Sequence, residues 1–356
     1  MARTQKNKAT EYHLGQLKAK LAKLRSQLLE GPTAGGGGGK GDGFDVGRYG
    51  DARVALIGFP SVGKSTLLTS MTGVNSEVGA YDFTTLTCVP GVYTFNDTKV
   101  QLLDLPGIIE GAADGRGRGR QVISTAKSSD VILMVLDATK DDVQRRLLEK
   151  ELHSVGIRLN REPPRLSIQK KKTGGVTVGS NCTLTKLNDK MICTLLKEYK
   201  IHNADVTIFE DCSVDDFIDG IEGNRKYVKC IYAYNKIDML TAKQVDALAR
   251  RDNHVVISSS LNWNIDTLKQ RLWDNLELVR VYTKKRGQYP DFDDPIILTP
   301  QRGGSSVENA VRHVHKDLLK DFKSGFVWGT SVRYIPMQVG LNHVLADEDV
   351  LQVMKK

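Results

Sequence analysis

The stretch Gly58-Phe59-Pro60-Ser61-Val62-Gly63-Lys64-Ser65 decides how the rest of the chain is interpreted. It matches the pattern G-x-x-x-x-G-K-[ST] and lies between an apolar segment, Val54 to Ile57, and a segment predicted to be helical from about Lys64. A glycine-rich turn at such a junction directs backbone N–H groups inward, and the N-terminus of the following helix favours an anion. The stretch therefore predicts a phosphate-binding loop.

Two side chains of this loop have predicted roles of their own. The ammonium group of Lys64 would reach the β- and γ-phosphates of a nucleotide, and the hydroxyl of Ser65 would ligate Mg²⁺. By composition, the pattern arises by chance in about one chain of this length in a hundred, so a bare glycine turn is the weaker alternative. The predicted nucleotide contacts of the loop are Pro60, Ser61, Val62, Gly63, Lys64, Ser65 and Thr66.

The segments that follow alternate between apolar strands and helices. Such alternation is typical of an α/β fold, in which helices cover both faces of a parallel sheet. The predicted strands are Val54–Ile57, Val100–Leu103, Val131–Leu136, Ile231–Tyr234 and Val255–Ile257.

The sequence Asp104-Leu105-Pro106-Gly107 stands at the end of the predicted strand VQLLD. A carboxylate there can hold Mg²⁺, and the N–H of a glycine three residues later can sense a γ-phosphate. By itself the pattern D-x-x-G is weak, because it usually marks a turn. At a strand end forty residues after Lys64, it predicts Asp104 and Gly107 as nucleotide-site residues.

The sequence Asn235-Lys236-Ile237-Asp238 follows the strand IYAY and predicts which base is bound. A carboxylate accepts hydrogen bonds from guanine N1–H and its 2-amino group, whereas adenine offers an acceptor at N1 and no 2-amino group. The predicted base contacts are Asn235, Lys236 and Asp238, backed by Ser258, Ser259 and Ser260, which follow the strand VVI. The serine triplet alone is too common to indicate a function.

Composition places the chain among soluble globular proteins. Its 356 residues allow two or three domains, 40% are apolar and 26% are charged, and the net charge is +9. A moderately basic chain favours an anionic partner such as RNA. Five cysteines without a C-x-x-C pair argue against a disulfide framework or zinc site, and no apolar run or leader pattern is visible, so we expect a cytoplasmic protein.

The ordered motifs GFPSVGKS, DLPG, NKID and ISS are similar to those of translation-factor-class GTPases. Three further stretches narrow the resemblance: YDFTTLT from Tyr81, DLPGIIEGA from Asp104 and GRGRGRQ from Gly115. They resemble the Obg superfamily, specifically the developmentally regulated GTP-binding (DRG) proteins. The likeness runs over nearly the whole chain, and its later half is nearer the second eukaryotic DRG branch.

The resemblance implies a P-loop GTPase domain with three additions. They are an N-terminal helical region, an inserted α+β subdomain like domain 2 of ribosomal protein S5, and a C-terminal TGS module, which is a ubiquitin-like β-grasp fold. The expected boundaries are 1–50 for the N-terminal helix and glycine-rich linker, 51–157 and 229–278 for the GTPase domain, 158–228 for the insert and 279–356 for the TGS domain.

The resemblance also assigns Thr85 as the switch I threonine, although the residues alone do not distinguish it from Thr84 and Thr87. The expected Mg²⁺ ligands are then Ser65, Thr85 and Asp104, and the expected catalytic residues are Lys64, Thr85 and Gly107. Ile108 stands where Ras-type enzymes place a water-orienting glutamine, so intrinsic hydrolysis should be slow. Some relatives hold K⁺ through an asparagine at the position of Ser61, and a hydroxyl leaves K⁺ as an open alternative.

The N-terminal segment from Glu11 to Glu30 is predicted to be one helix. Five leucines recur at steps of three and four residues and form one stripe: Leu14, Leu17, Leu21, Leu24 and Leu28. Packing against a partner helix is the favoured interpretation, and a basic arm for RNA is the alternative. The runs Lys170–Lys172 and Lys284–Arg286 have the same two interpretations, solvated charge or RNA contact.

These expectations combine into a GTPase that switches between GTP and GDP states on the ribosome in cytoplasmic translation. The resemblance implies the ribosome or RNA as partner, together with a dedicated DRG-family regulatory protein in a heterodimer. We expect no membrane and no DNA partner. The alternatives are a signalling GTPase without an RNA role and a nucleotide-sensing scaffold that barely hydrolyses GTP.

Overall fold

The computed structural model describes residues 8–30, 50–72, 89–105, 119–300 and 303–355. The helices are α1 (Lys8–Glu30), α2 (Lys64–Thr72), α3 (Gly119–Ser128), α4 (Val143–Ser154), α5 (Asp189–Glu198), α6 (Val214–Glu222), α7 (Ala242–Ala249), α8 (Ile265–Leu276) and α9 (Val307–Val314). The strands are β1 (Ala52–Ile57), β2 (Val89–Phe95), β3 (Thr98–Asp104), β4 (Val131–Asp137), β5 (Ile157–Leu159), β6 (Leu166–Lys170), β7 (Val176–Ser180), β8 (Ala204–Ile208), β9 (Lys226–Asn235), β10 (His254–Val256), β11 (Val279–Lys284), β12 (Pro290–Leu298), β13 (Phe322–Trp328), β14 (Met337–Val339) and β15 (Asp349–Lys355). Two units are distinguished among the described residues, one containing α1, 119–127 and 145–229, the other containing 50–105, 128–144 and 230–355.

The largest sheet has the strand order β10-β9-β4-β1-β3-β2, with β5 beside the beginning of β9. Strand β1 runs parallel to both β3 and β4, and β10 runs parallel to β9. The five strands predicted from the sequence are therefore all present and lie in one sheet, as expected for the α/β class.

Strand β2 was not predicted, and it runs antiparallel to β3 at the edge of the sheet. Its Pro90 and Gly91 are residues that strands disfavour, which hid the pattern. The usable sequence signal was the pair Asn96-Asp97 in the turn between the two strands. These residues have φ angles of 47° and 59°, and two positive values are typical of a two-residue hairpin loop.

The central strands are apolar because they are buried on both faces. Every residue of β1 and of β4 is buried, and Leu67 of α2 and Leu268 of α8 are fully buried in the same core. Parallel strands open their carboxyl ends at one edge of a sheet, where ligands of such folds bind. The residues that follow these ends include the phosphate-binding loop after β1, Asn235 at the end of β9 and Ser258 after β10.

The insert forms a small α+β layer of its own. Strand β8 lies between β6, to which it is antiparallel, and β7, to which it is parallel. Phe217 of α6 and Ile192 of α5 are fully buried in its core. Helix α6 begins after a capping box formed by Ser213 and Asp216. The likeness to domain 2 of ribosomal protein S5 stays a prediction.

Helix α1 packs against α5 and α6 through a face that the leucine pattern did not indicate. Ala19 is fully buried and Ala22 packs on the same core, whereas Leu21 and Leu24 are 42% and 59% exposed. Lys18 pairs with Asp215 at 2.6 Å. The predicted packing of this helix on other helices is thus confirmed, and RNA contact by the helix stays a prediction. The expectation that the leucine stripe makes the packing contact was wrong, because small residues allow closer approach of the helix backbones.

A buried ionic cluster holds the beginning and the end of the insert together. The guanidinium of Arg158 donates to both carboxylate oxygens of Asp219, at 2.6 and 2.7 Å, and Arg225 donates to the same carboxylate at 3.0 Å. All three side chains are at most 7% exposed. Arg225 also pairs with the buried carboxylate of Glu222 at 3.3 Å, so two carboxylates compensate two buried guanidinium groups.

Replacing Asp219 with alanine should lower the free energy of unfolding by about 3–5 kcal/mol, because the buried guanidinium of Arg158 loses its carboxylate partner and Arg225 keeps only Glu222. Thermal unfolding followed by circular dichroism measures the change. Asp246→Ala is the matched control, since its pair with Arg250 is largely exposed, and it should leave the midpoint nearly unchanged. Equal effects of the two substitutions would contradict a stabilising role for the cluster.

The C-terminal part is a five-stranded sheet of order β12-β11-β15-β13-β14 covered by α9. Val281, Val327 and Leu351 of the sheet are buried with Val311 of α9. Helix α9 ends at Val314, because His315 has an extended backbone with φ of −167°, and a short 3-10 turn then leads into β13.

Candidate functional site

The loop after β1 forms a cradle that only glycine permits at one position. Gly63 has φ of +93°, and a Cβ placed there would lie 2.4 Å from Nδ2 of Asn235. Its carbonyl accepts the first hydrogen bond of α2 from the N–H of Leu67 at 2.9 Å. The loop thus turns directly into a helix N-terminus, which is the arrangement that binds phosphate.

Lys64 lies folded over this loop. Its ammonium group donates to the carbonyls of Gly58 and Phe59, both at 3.0 Å. Burial lowers the pKa of Lys64, and the nearby carboxylate of Asp104 partly opposes that shift. The lysine is therefore held at the mouth of the cradle, where a phosphate would supply the negative charge that its half-buried position lacks.

Asp104 ends β3 next to Ser65. Its Oδ1 is buried and has no hydrogen-bond partner among the described residues. Burial raises the pKa of Asp104, while Lys64 and a hydrogen bond with Ser65 lower it, and the net shift is upward. An unpartnered buried carboxylate oxygen beside a serine hydroxyl is a donor set that suits Mg²⁺, which prefers hard oxygen ligands and keeps several waters.

Asn235 ties the phosphate loop to the base-binding segments. It is 1% exposed, and its amide donates to the carbonyl of Val62 at 2.8 Å and to the hydroxyl of Ser259 at 2.9 Å. Its carbonyl oxygen accepts from the N–H groups of Lys236 and Ser259, both at 2.9 Å. Three segments far apart in sequence are thereby held in one register by a single satisfied amide.

Lys236 is fixed by a carboxylate that the sequence analysis did not identify. Its ammonium group donates to Oδ2 of Asp137 at 2.8 Å and to the carbonyl of Ser61 at 3.0 Å. Thr139 binds the other oxygen of Asp137 through its N–H and hydroxyl. Burial alone would raise the pKa of Asp137, but the hydrogen bonds from Lys236 and Thr139 hold that pKa below its usual value. The available signal was an acidic residue at the carboxyl end of the buried strand VILMVLD.

Asp238 presents its carboxylate at the surface beside the serine triplet. The hydroxyl of Ser258, itself fully buried, donates to Oδ1 of Asp238 at 2.6 Å and lies 3.1 Å from the hydroxyl of Ser260. The carboxylate is oriented while one of its oxygens stays available for a ligand. The predicted serines thus contact Asp238, and the role of Asp238 in reading a base stays a prediction.

The remaining predicted site residues divide into two groups. Pro60 and Thr66 are exposed at the rim of the loop, where they can meet a ligand. Thr85 and Gly107 lie outside the described residues, as does Ile108. The structure therefore brings together the phosphate, base and Asp104 elements, while the roles assigned to Thr85 and Gly107 stay predictions.

Three family comparisons cover the chain from residue 53 to 355. Residues 53–170 match the family described as 50S ribosome-binding GTPase, 173–278 match the C-terminal region of that domain, and 279–355 match the TGS domain. "Developmentally-regulated G-protein 2" of Arabidopsis thaliana is 60% identical over 356 residues, which are 100% of this chain and 89% of the relative. The chain belongs to the developmentally regulated GTP-binding protein family.

Other DRG-family members show the same extent of likeness. "Developmentally-regulated GTP-binding protein 2" of Mus musculus is 58% identical, covering 100% of this chain and 96% of the relative. The predicted family and fold class are thus confirmed: this is a GTP-binding protein with a P-loop GTPase domain and a TGS domain. Among solved structures, the YchF GTPase of Schizosaccharomyces pombe matches with a TM-score of 0.43 and 13% identity, over 86% of this chain and 98% of that one.

The described residues of this DRG-family chain lack two features, a membrane-spanning helix and a cluster of metal-binding side chains. Within the described ranges, no helix has the length and apolarity to cross a bilayer. The same residues contain no group of three or more histidine, cysteine, aspartate or glutamate side chains arranged to hold a metal.

Replacing Asp137 with asparagine should weaken GDP and GTP binding about 3- to 10-fold, because Lys236 loses its charged partner. The loss should appear mainly as faster nucleotide release. Stopped-flow dissociation of a fluorescent GDP measures it.

Asp142→Asn is the matched control for this prediction. Asp142 pairs with Tyr234 and Arg251 rather than with the base-binding segment, so its variant should release GDP at nearly the parental rate. If Asp137→Asn behaves like Asp142→Asn, the pair of Asp137 and Lys236 has no part in nucleotide affinity.

Proposed function

We propose that this protein hydrolyses GTP to GDP and phosphate and acts as a ribosome-associated switch in cytoplasmic translation. The observation that supports it most is the tie through Asn235, which joins the phosphate loop to a base-reading carboxylate in one preorganised site. The family description, 50S ribosome-binding GTPase, supports the ribosome as partner.

The described residues divide the work of GTP hydrolysis among themselves. Lys64 moves from its loop carbonyls to the β- and γ-phosphates and stabilises the charge that develops on them. Ser65 and Asp104 hold Mg²⁺, which when bound neutralises phosphate charge. Asp238 and Lys236 fix the guanine ring. Thr85 and Gly107 are proposed to sense the γ-phosphate and to release the switch segments after hydrolysis.

Two partners follow from this proposal. The net charge of +9 and the exposed run Lys170–Lys172 would favour ribosomal RNA through phosphate contacts that weaken with salt. A dedicated regulatory protein of the family, bound as a heterodimer, would stimulate or stabilise the GTPase. Ile108 predicts slow intrinsic GTP hydrolysis, which such a partner could accelerate.

Co-sedimentation with ribosomes over a salt series tests the switch. The chain is compared with a non-hydrolysable GTP analogue, with GDP and without nucleotide. Stronger sedimentation with the analogue, lost at high salt and lost in Asp238→Ala, is the expected result. Equal sedimentation in all three states would overturn the switch, and no sedimentation at low salt would overturn the ribosome as a direct partner.

The scaffold alternative is favoured by one observation, Ile108 in place of a water-orienting glutamine. Single-turnover hydrolysis, measured in Na⁺ and in K⁺ buffers, separates the two functions. Hydrolysis that K⁺ accelerates would support both the enzyme and a K⁺ site near Ser61. Tight GTP binding without hydrolysis in either buffer would favour the scaffold.

A further inference from the structure

The loop between β10 and α8 carries the serines that contact the predicted base-binding segment. Backbone hydrogen bonds join Ser258 and Trp263, whose N–H groups donate to each other's carbonyls at 3.2 and 3.0 Å. The amide of Asn264 donates to the carbonyl of Val256 at 2.8 Å and fixes the loop to the end of β10. Residues 258–263 thus form a closed turn, the base loop.

The inner half of the base loop is held by buried groups. The N–H of Ser259 donates to the carbonyl oxygen of Asn235 at 2.9 Å, and the hydroxyl of Ser258 donates to Asp238 at 2.6 Å. Ser258 and Ser259 are at most 6% exposed. Because water is largely excluded from these contacts, they fix the side of the loop that lies next to Asp238.

The outer half of the base loop lies at the surface. All residues from 260 to 264 are exposed, including the large apolar side chains of Leu261 and Trp263. Apolar burial therefore contributes little to holding this half in place. Segments with few buried contacts open at a low free-energy cost. A side-chain contact between the outer half and a rigid element then has a large share in keeping the loop closed.

A side-chain hydrogen bond connects the outer half to helix α2. The hydroxyl of Ser70 donates to Oδ1 of Asn262 at 2.5 Å, although the two residues are 192 positions apart in the sequence. Asn262 has φ of 55°, in the left-handed region that asparagine adopts more readily than most residues. Helix α2 begins at Lys64, so the bond links the base loop to the helix whose N-terminus is predicted to bind phosphate.

This hydrogen bond completes a ring of contacts between the base loop and the phosphate-binding loop. The ring leads from α2 through Asn262 to Ser259, and then through Asn235 to the carbonyl of Val62. Asn235 is buried, whereas the bond between Ser70 and Asn262 is exposed, so water competes most directly for that bond. We propose that Ser70 and Asn262 are positioning residues, whose hydrogen bond holds the base loop closed over a bound guanine nucleotide and slows its release.

The inference rests on the proposed nucleotide site but concerns nucleotide release rather than hydrolysis. Ser70 is six residues beyond Lys64, which is about 9 Å along the axis of α2. Loss of the Ser70 hydroxyl should therefore leave the groups at the phosphate-binding loop in place. Release of GDP and GTP should become faster, while the rate of the chemical step stays the same. A general defect of the domain would change both rates.

Stopped-flow release of a fluorescent GDP from the full chain measures the effect. Ser70→Ala and Asn262→Gly should each release GDP about 3- to 10-fold faster than the parent, because each loses one hydrogen bond. Glycine is chosen because it adopts the left-handed conformation of Asn262 freely. The double variant should release GDP no faster than the faster single variant, since both substitutions remove the same bond. Single-turnover GTP hydrolysis and the thermal midpoint should stay near the parental values.

Three further variants serve as controls. Asn253→Gly makes the same substitution at another left-handed asparagine, with φ of 59°, in the turn before β10. Thr69→Ala removes a neighbouring hydroxyl of α2, which donates to the carbonyl of Ser65 within the helix. Both should release GDP at the parental rate. Asn262→Asp keeps the accepting oxygen and tolerates the same backbone, so it should release GDP no faster than the parent.

Four results would overturn the inference. They are parental release in both single variants, additive acceleration in the double variant, equal acceleration by Asn253→Gly or Thr69→Ala, and slower hydrolysis without faster release. Each of these leaves the proposed GTPase function standing. A parent chain that binds no guanine nucleotide would overturn that function together with the inference, so the two failures are distinguishable.

Discussion

Replacing Asp238 with asparagine should weaken GTP binding about 10²- to 10⁴-fold, because the carboxylate accepts two hydrogen bonds from guanine and an amide accepts only one. Xanthine keeps N1–H but has a carbonyl in place of the 2-amino group, so the amide N–H of asparagine can donate to it. The same variant should therefore bind xanthosine triphosphate more tightly than GTP. Competition against a fluorescent nucleotide measures both affinities.

The environment of Asp238 makes this exchange interpretable. Ser258 donates to Oδ1 of Asp238, and the same oxygen position exists in asparagine, so the orientation of the side chain should persist. Asp238→Ala should lose GTP without gaining xanthosine triphosphate. Asp266→Asn, an exposed position in the first turn of α8, serves as control. Unchanged GTP affinity in Asp238→Asn would remove the base-reading role.

Replacing Asp104 with asparagine should lower GTP hydrolysis and raise the stability of the nucleotide-free protein. GTP hydrolysis should fall at least about 100-fold, since an amide carries no charge for Mg²⁺. The nucleotide-free protein should become more stable at pH 7. Burial raises the pKa of Asp104, so the folded state binds its proton more tightly than the unfolded chain does, and ionisation costs stability as pH rises.

The pH dependence checks the cause of that gain. Below about pH 4 both the unfolded and the folded carboxyl are protonated, and the difference in thermal midpoint between the two proteins should vanish. Asp97→Asn, in the exposed turn at the other end of β3, should show neither effect. A variant less stable than the parent at pH 7 would contradict the interpretation that burying the ionised carboxylate of Asp104 costs stability.

Local motifs were sufficient for the phosphate and base elements because each is a short stretch with fixed neighbours. The loop from Gly58 to Ser65, the strand end at Asp104 and the segment from Asn235 to Asp238 lie where the sequence predicted them. Each has a signature in spacing alone, since a glycine turn between strand and helix, or a carboxylate at a strand end, constrains only adjacent residues.

Asp137 shows what such motifs miss. It acts through Lys236, which lies 99 residues later, and only the adjacency of β4 and β9 in the sheet brings the two together. The edge strand β2 was not predicted from the sequence for a related reason. Its pairing with β3 stabilises a strand that contains residues unfavourable to strand structure. Long-range pairing of this kind leaves little trace in a single sequence.

The sequence alone determined the α/β class, the position of the phosphate-binding loop and of the segment Asn235–Asp238, and the family resemblance, because these depend on residue type at fixed local spacing. Only the tertiary structure decided which face of α1 is buried. A helical period shows that the leucines share one face of α1. Whether this face or the face with Gly15 and Ala19 contacts α5 and α6 depends on how closely the helix backbones approach. That choice left Leu21 and Leu24 exposed.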